Sequence, residues 1–228
     1  MSDISKIAFA GILLWLVLLV GCSRLPAYSQ PRIEACKTFL SANGITYRDL
    51  VVSDFRAAVL PDDLRGHEQD LNAHTSIAIS TAPGAKYVFS KKGGNERQLW
   101  CGRVENLAFQ ALVFPEKSWW SPTLAKDQEA YVLQHEQIHF TIMEIAARQL
   151  NLRIARERDK LTACETDSEG VTKKMSDTID RWMAKAQAET LNRHRNFDEA
   201  TSRRHAPNAQ QWWYNRVMKE LLDLAQWQ

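Results

Sequence analysis

The sequence predicts an α+β fold: a small antiparallel or mixed sheet, then a long helix and a helical C-terminal half. Two observations carry this. From Ile33 to Pro122 the chain breaks into short alternating or apolar segments bounded by Pro and Gly, the pattern of strands. After Pro122 the apolar residues recur at spacings of three and four and keep that rhythm to the end. Strands gathered first and helices after favour a segregated α+β domain over an alternating, doubly wound one.

The first element is an export signal. Ile7 to Val20 is an unbroken run of apolar or small residues, with Lys6 in front and Gly21-Cys22 behind. A bilayer span needs roughly 20 apolar residues, so this shorter run fits the core of a signal peptide. Its ending, Leu19-Val20-Gly21-Cys22, resembles a bacterial lipobox. Residues 1–21 are therefore expected to be a lipoprotein signal peptide, with Cys22 lipidated as the mature N-terminus. Ser23 after the cysteine, where an Asp would signal inner-membrane retention, favours the outer membrane by that resemblance. Residues 22–32 carry two prolines and read as a tether.

Residues 33–228 read as a single domain. Thr75–Ser80, Lys86–Ser90 and Leu107–Phe114 are the clearest strands, with turns at Pro83-Gly84 and Gly93-Gly94. A helix is expected from Lys126 to about Arg158, free of Gly and Pro, with Ile138, Ile142, Ile145 and Leu152 on one face. A second is expected from about Val171 to Arg195, carrying Val171, Met175, Ile179, Trp182 and Ala186. A third runs from about Asn208 to Trp227, with Trp213, Val217, Leu221 and Leu224 in line.

Composition excludes little else. The 228-residue chain has a net charge of only +2, which argues against a nucleic-acid partner. After Cys22, three cysteines remain: Cys36, Cys101 and Cys164. In an oxidising compartment, one disulfide with one thiol left over is the expectation, with the pairing open. None has zinc-ribbon spacing.

The chemistry concentrates in His135-Glu136-Gln137-Ile138-His139. On a helix, residues four apart sit about 40° apart on one face, one turn above each other, so both imidazoles converge on one tetrahedral Zn²⁺. Glu136 then flanks the metal as a general base for water. A third ligand is required. Glu144, nine positions after His135, would point about 180° away on an unbroken helix and is rejected. Glu165 and Glu169, from a following helix, and His205, ahead of the last helix, remain open.

The segment Leu133 to Arg148 resembles a bacterial family of unknown function predicted to be secreted zinc-dependent proteases. Further stretches resemble that family in order: Ser53-Asp54-Phe55-Arg56, Ala73-His74-Thr75, Phe114 to Trp119, and near the end Phe197-Asp198-Glu199-Ala200-Thr201, His205 and Gln210 to Trp213. The likeness spans roughly residues 45–215. It implies a zincin-like catalytic domain and His205 as third zinc ligand, although Arg203-Arg204 and Ala206 depart from the family's pattern around that histidine. The implied activity is peptide-bond hydrolysis, with a peptide or protein substrate and attachment to the membrane through Cys22. Two other functions stay open: a non-catalytic envelope binding or assembly module, and a zinc amidase acting on peptidoglycan peptides.

Other residues have a structural reading beside a functional one. His74 is a transition-state donor or a structural hydrogen-bonder. Strand Leu107–Phe114 is a substrate-pairing edge or a core strand. Trp119 and Trp120 line a cleft or fill core and rim. Arg193, His194, Arg195, Arg203 and Arg204 form a solvated basic helix end or a contact for anionic headgroups.

Overall fold

A stretch without Gly or Pro builds the element around which the chain folds. In the computed structural model, which describes residues 44–93, 98–202 and 205–228, helix α1 spans Glu129–Glu157 after a 3-10 turn at Lys126–Gln128. Apolar side chains leave it in several directions. Val132 and Phe140 pack with Ala111 and Val113 of the sheet. Ile138, Ile142 and Ile145 pack with Phe197, Val217 and Leu221 of the later helices. Ala146, Ala147, Leu150 and Ile154 enter the largest cluster, with Val104, Phe109 and Trp182. A helix apolar around its circumference is a core helix, and α1 is sandwiched accordingly.

The strands are β1 (Ile45–Thr46), β2 (Ala73–His74), β3 (Ile77–Thr81), β4 (Lys86–Lys92), β5 (Leu99–Asn106), β6 (Phe109–Val113), β7 (Trp119–Trp120) and β8 (Thr162–Glu165). Among the described residues they form three small sheets, β1-β6-β3, β2-β7 and β4-β5-β8, whose strands pair antiparallel. Helices α2 (Ser168–Thr201) and α3 (Pro207–Asp223) follow. The α+β class expected from the sequence is the class observed. Among the described residues no helix is long and apolar enough to cross a membrane.

Strand β6 is the middle strand of its sheet, with β3 on one side and β1 on the other. Where β1 ends, α1 takes over. Asn151 accepts from Phe109 N at 2.7 Å and donates to Phe109 O at 3.0 Å, and Glu144 accepts from Ala111 N at 3.2 Å. This corrects the expectation of a substrate-pairing edge at Leu107–Phe114, because those backbone groups are already bonded. Glu144 also accepts from buried Arg148, which reaches the Leu221 carbonyl of α3, so its role is to tie sheet and helices together.

A disulfide joins two strands of the β4-β5-β8 sheet, and a glycine lets α2 pack over it. Cys101 and Cys164 face each other across β5 and β8 and form a disulfide, which settles the open pairing. Cys36 lies outside the described residues. At Gly102 a Cβ would sit 2.5 Å from Val171 Cγ1, so glycine lets α2 approach the strand. Asp167 caps α2 by accepting from Gly170 N. The expected signal peptide and tether, Cys22, and Arg203 and Arg204 also fall outside the described residues.

Candidate metal centre

Helix α1 presents His135 and His139 one turn apart, toward the C-terminal end of α2. That end is buried where the sequence suggested a solvated terminus. The helix runs on past Arg195, and Thr190, His194, Phe197, Asp198 and Thr201 recur at helical spacing on its buried face. Asp198 thereby reaches the two histidines. Its Oδ1 lies 2.9 Å from His139 Nε2 and 3.3 Å from His135 Nε2, and the two Nε2 atoms are 3.2 Å apart.

These three distances define the chemistry. In a tetrahedral zinc site with bonds of about 2.0–2.1 Å, neighbouring ligand atoms are about 3.3 Å apart. The three donors therefore lie near three vertices of a tetrahedron and offer one ligand atom each to a metal ion. Two neutral imidazoles and one carboxylate suit Zn²⁺ and related divalent ions, so the donor set fits the metal implied by the sequence. Among the described residues three donors converge, the number of protein ligands found in catalytic zinc sites. The His135 and His139 side chains keep 16% and 15% exposure, so solvent reaches the cluster.

The electrostatics suit a cation. Burial opposes charge on Asp198, but His139 beside it and hydrogen bonds from both histidines outweigh burial and hold its carboxyl well below the usual range. Burial likewise opposes charge on His139, and the Asp198 carboxylate, with Glu136 behind it, overcomes this and raises its pKa. At His194 the Asp198 carboxylate acts in the same direction but is outweighed. Burial and then the field of His139 push it down to about 3, so it is neutral.

Glu136 is buried, and its Oε2 accepts a hydrogen bond from the Thr75 hydroxyl in the turn between β2 and β3. Its Oε1 has no hydrogen bond among the described residues. The neighbouring Gln137 accepts from Leu50 N at 2.7 Å, which fastens the preceding loop to α1 beside the site. On the other flank, fully buried Gln210 donates at 2.8 Å to both Tyr131 O and Gln134 Oε1, so α3 is clamped to the turn just before His135.

The structure places Asp198, and not the expected His205, beside His135 and His139, with Glu136 on the adjoining residue. His205 is exposed and stacks on Tyr131 with ring centroids 4.4 Å apart. Glu165 lies on strand β8, paired with Lys174. Glu169 sits in the first turn of α2, about 44 Å along the helix from Asp198 at 1.5 Å per residue. Neither is near the site. His74 pairs with Trp119 in the β2-β7 ribbon, Trp119 is core, and Trp120 stacks against Phe55. In the basic cluster, Arg193 is bound by Glu220 and His194 is buried, so those two do not form a charged surface.

Asp198, His194 and Thr75 escaped assignment from sequence. The first two had a legible signal: His194 and Asp198 are four apart, as are His135 and His139, so each helix offers a polar pair on one face. Thr75 falls in a stretch singled out by resemblance, but no spacing pointed to its partner, which lies 61 residues away in the chain. Comparisons with protein-family models, with curated proteins and with solved structures find no match for this chain.

Proposed function

We propose that this chain is a zinc-dependent peptidase with a zincin-like catalytic domain, in which His135, His139 and Asp198 hold the metal and Glu136 is the general base. The observation that carries this is the three-donor cluster, spaced 2.9–3.3 Å, with a buried glutamate on the adjoining residue. A purely structural zinc site is closed by four protein ligands and has no use for that glutamate.

Bound there, Zn²⁺ supplies Lewis acidity, lowering the pKa of water toward 7 and polarising a carbonyl. Glu136 takes a proton from the water as its oxygen adds to the peptide carbon. It returns that proton to the amide nitrogen as the C–N bond breaks, so the acid and amine products balance. Thr75 holds one carboxylate oxygen and leaves the other to work. Asp198 and the two histidines would hold the metal.

An envelope location belongs to the same proposal. It rests on the apolar run before Cys22, which would place a lipid anchor in the outer membrane facing the periplasm. The Cys101–Cys164 disulfide supports it, because such bonds persist in oxidising compartments.

The test compares wild type and Glu136→Gln, each loaded with zinc, on a casein-type substrate and on peptidoglycan. Cleavage of casein by wild type, lost by about 10²-fold or more in Glu136→Gln with zinc retained, supports the peptidase. Cleavage of peptidoglycan alone reassigns the chemistry to an amidase. Zinc bound with neither substrate cleaved makes the chain a binding module.

A further inference from the structure

The second nitrogen of His139 carries an inference of its own. His194, one turn before Asp198 on α2, is only 4% exposed, and its Nδ1 lies 2.7 Å from His139 Nδ1. Two imidazole nitrogens at that distance share one proton, since two lone pairs would repel and two N–H groups would clash. His139 Nε2 is committed to the other side, toward Asp198 and His135.

We propose that His194 is a positioning residue for the metal centre, accepting from His139 Nδ1–H and so fixing the tautomer whose Nε2 lone pair faces the metal. This rests on the metal-site reading above. A neutral imidazole that gives its Nε2 lone pair to a metal carries its hydrogen on Nδ1, and His194 Nδ1 is the group placed to receive it. The His194 proton then sits on Nε2, an atom that is buried and has no hydrogen-bond partner among the described residues. A buried N–H without a partner carries a desolvation cost. It is a tolerable one where the other nitrogen serves the site.

The arrangement departs from the common one, in which a ligating histidine donates to a carboxylate, a backbone carbonyl or water. A neutral imidazole orients the ligand without adding negative charge. Among the described residues the metal would face Asp198 and Glu136 as anionic groups, and a neutral His194 leaves its Lewis acidity undiminished.

Long-range ¹⁵N–¹H correlation spectra of the uniformly ¹⁵N-labelled, zinc-loaded protein test this directly. The expected result is a protonated Nδ1 on His139, a protonated Nε2 on His194, and an unprotonated Nδ1 on His194. A proton on His194 Nδ1, or zinc on His139 Nδ1, overturns the proposal. A second measurement uses zinc affinity by chelator competition, without reference to activity. His194→Ala is expected to weaken binding by about 10–100-fold, and His194→Asn, whose Oδ1 can accept the same N–H, to recover most of it. Unchanged affinity in both variants, or an equal loss in both, counts against the role. Should His194→Ala fail to fold, the wild-type spectra still decide. Wild-type protein that binds no zinc removes the underlying reading instead, and the two failures are thereby distinct.

Discussion

Asp198 Oδ1 lies 2.9 Å from His139 Nε2, and this contact between two helices turns a paired-histidine motif into a three-donor site. The motif alone supplies two ligands and a base on one helix. The third donor comes from the far end of α2, brought in because Phe197, beside it, is fully buried against Ile138, Ile142 and Ile145. Apolar packing therefore sets the spacing of the three donors.

The position of His205 leads to the first prediction. Exposed and stacked on Tyr131, it is not part of the cluster. His205→Ala should bind zinc within about threefold of wild type, whereas loss of a true ligand costs far more. Chelator competition reads the difference, and a loss of 100-fold in His205→Ala would return that histidine to the ligand set.

The disulfide carries a second prediction. Cys101 and Cys164 are separated by 63 residues, and closing a loop of that length stabilises a fold by about 2–4 kcal/mol. The double variant Cys101→Ser/Cys164→Ser should show a correspondingly lower urea midpoint. Because the bridge joins β5 to β8 and not α1 to α2, zinc binding by the folded variant should be retained. An unchanged midpoint would mean that the bond does not form in the native protein.

A third prediction concerns pH. Burial works against a charged Asp54, but the bidentate Arg48 contact at 2.6 and 2.9 Å and the Val51 N–H outweigh it and lower its pKa. A carboxylate depressed in the folded state contributes stability above its unfolded pKa of about 4, and the contribution is lost as pH falls through the folded value. Asp54→Asn should therefore be less stable than wild type at pH 7, by about 1–2 kcal/mol for a lost buried charge-assisted bond. The gap should narrow toward pH 3. Chemical unfolding at both pH values measures it, and a gap that widens on acidification would contradict the assignment.

What could be read in advance follows from which forces are local. Helix α1 was legible because Glu129–Glu157 lacks breakers and repeats apolar residues at helical spacing. Strand β5 was not, because Gly102 interrupts it and Arg103, Glu105 and Asn106 point to solvent, so its partner α2 had to be seen first. Strand β8 is four residues long between two helices and carries no periodic signal of its own. The end of α2 is the instructive case. Arg193-His194-Arg195-Asn196 has the composition of a frayed terminus, yet Glu220 binds Arg193 and His139 receives His194, so tertiary contacts carry the helix on to Thr201. Placing the terminus at Arg195 put Asp198 in a loop and left the third ligand to distant candidates.

The most direct test of the account is the zinc content of purified wild-type protein and of Asp198→Ala, measured after exhaustive dialysis against metal-free buffer and reloading with one equivalent of Zn²⁺. The account predicts about one zinc per chain in wild type and a loss of at least 100-fold in affinity in the variant, with its helical content unchanged. A wild type that holds no zinc, or an Asp198→Ala protein that holds it as tightly as wild type, would contradict it.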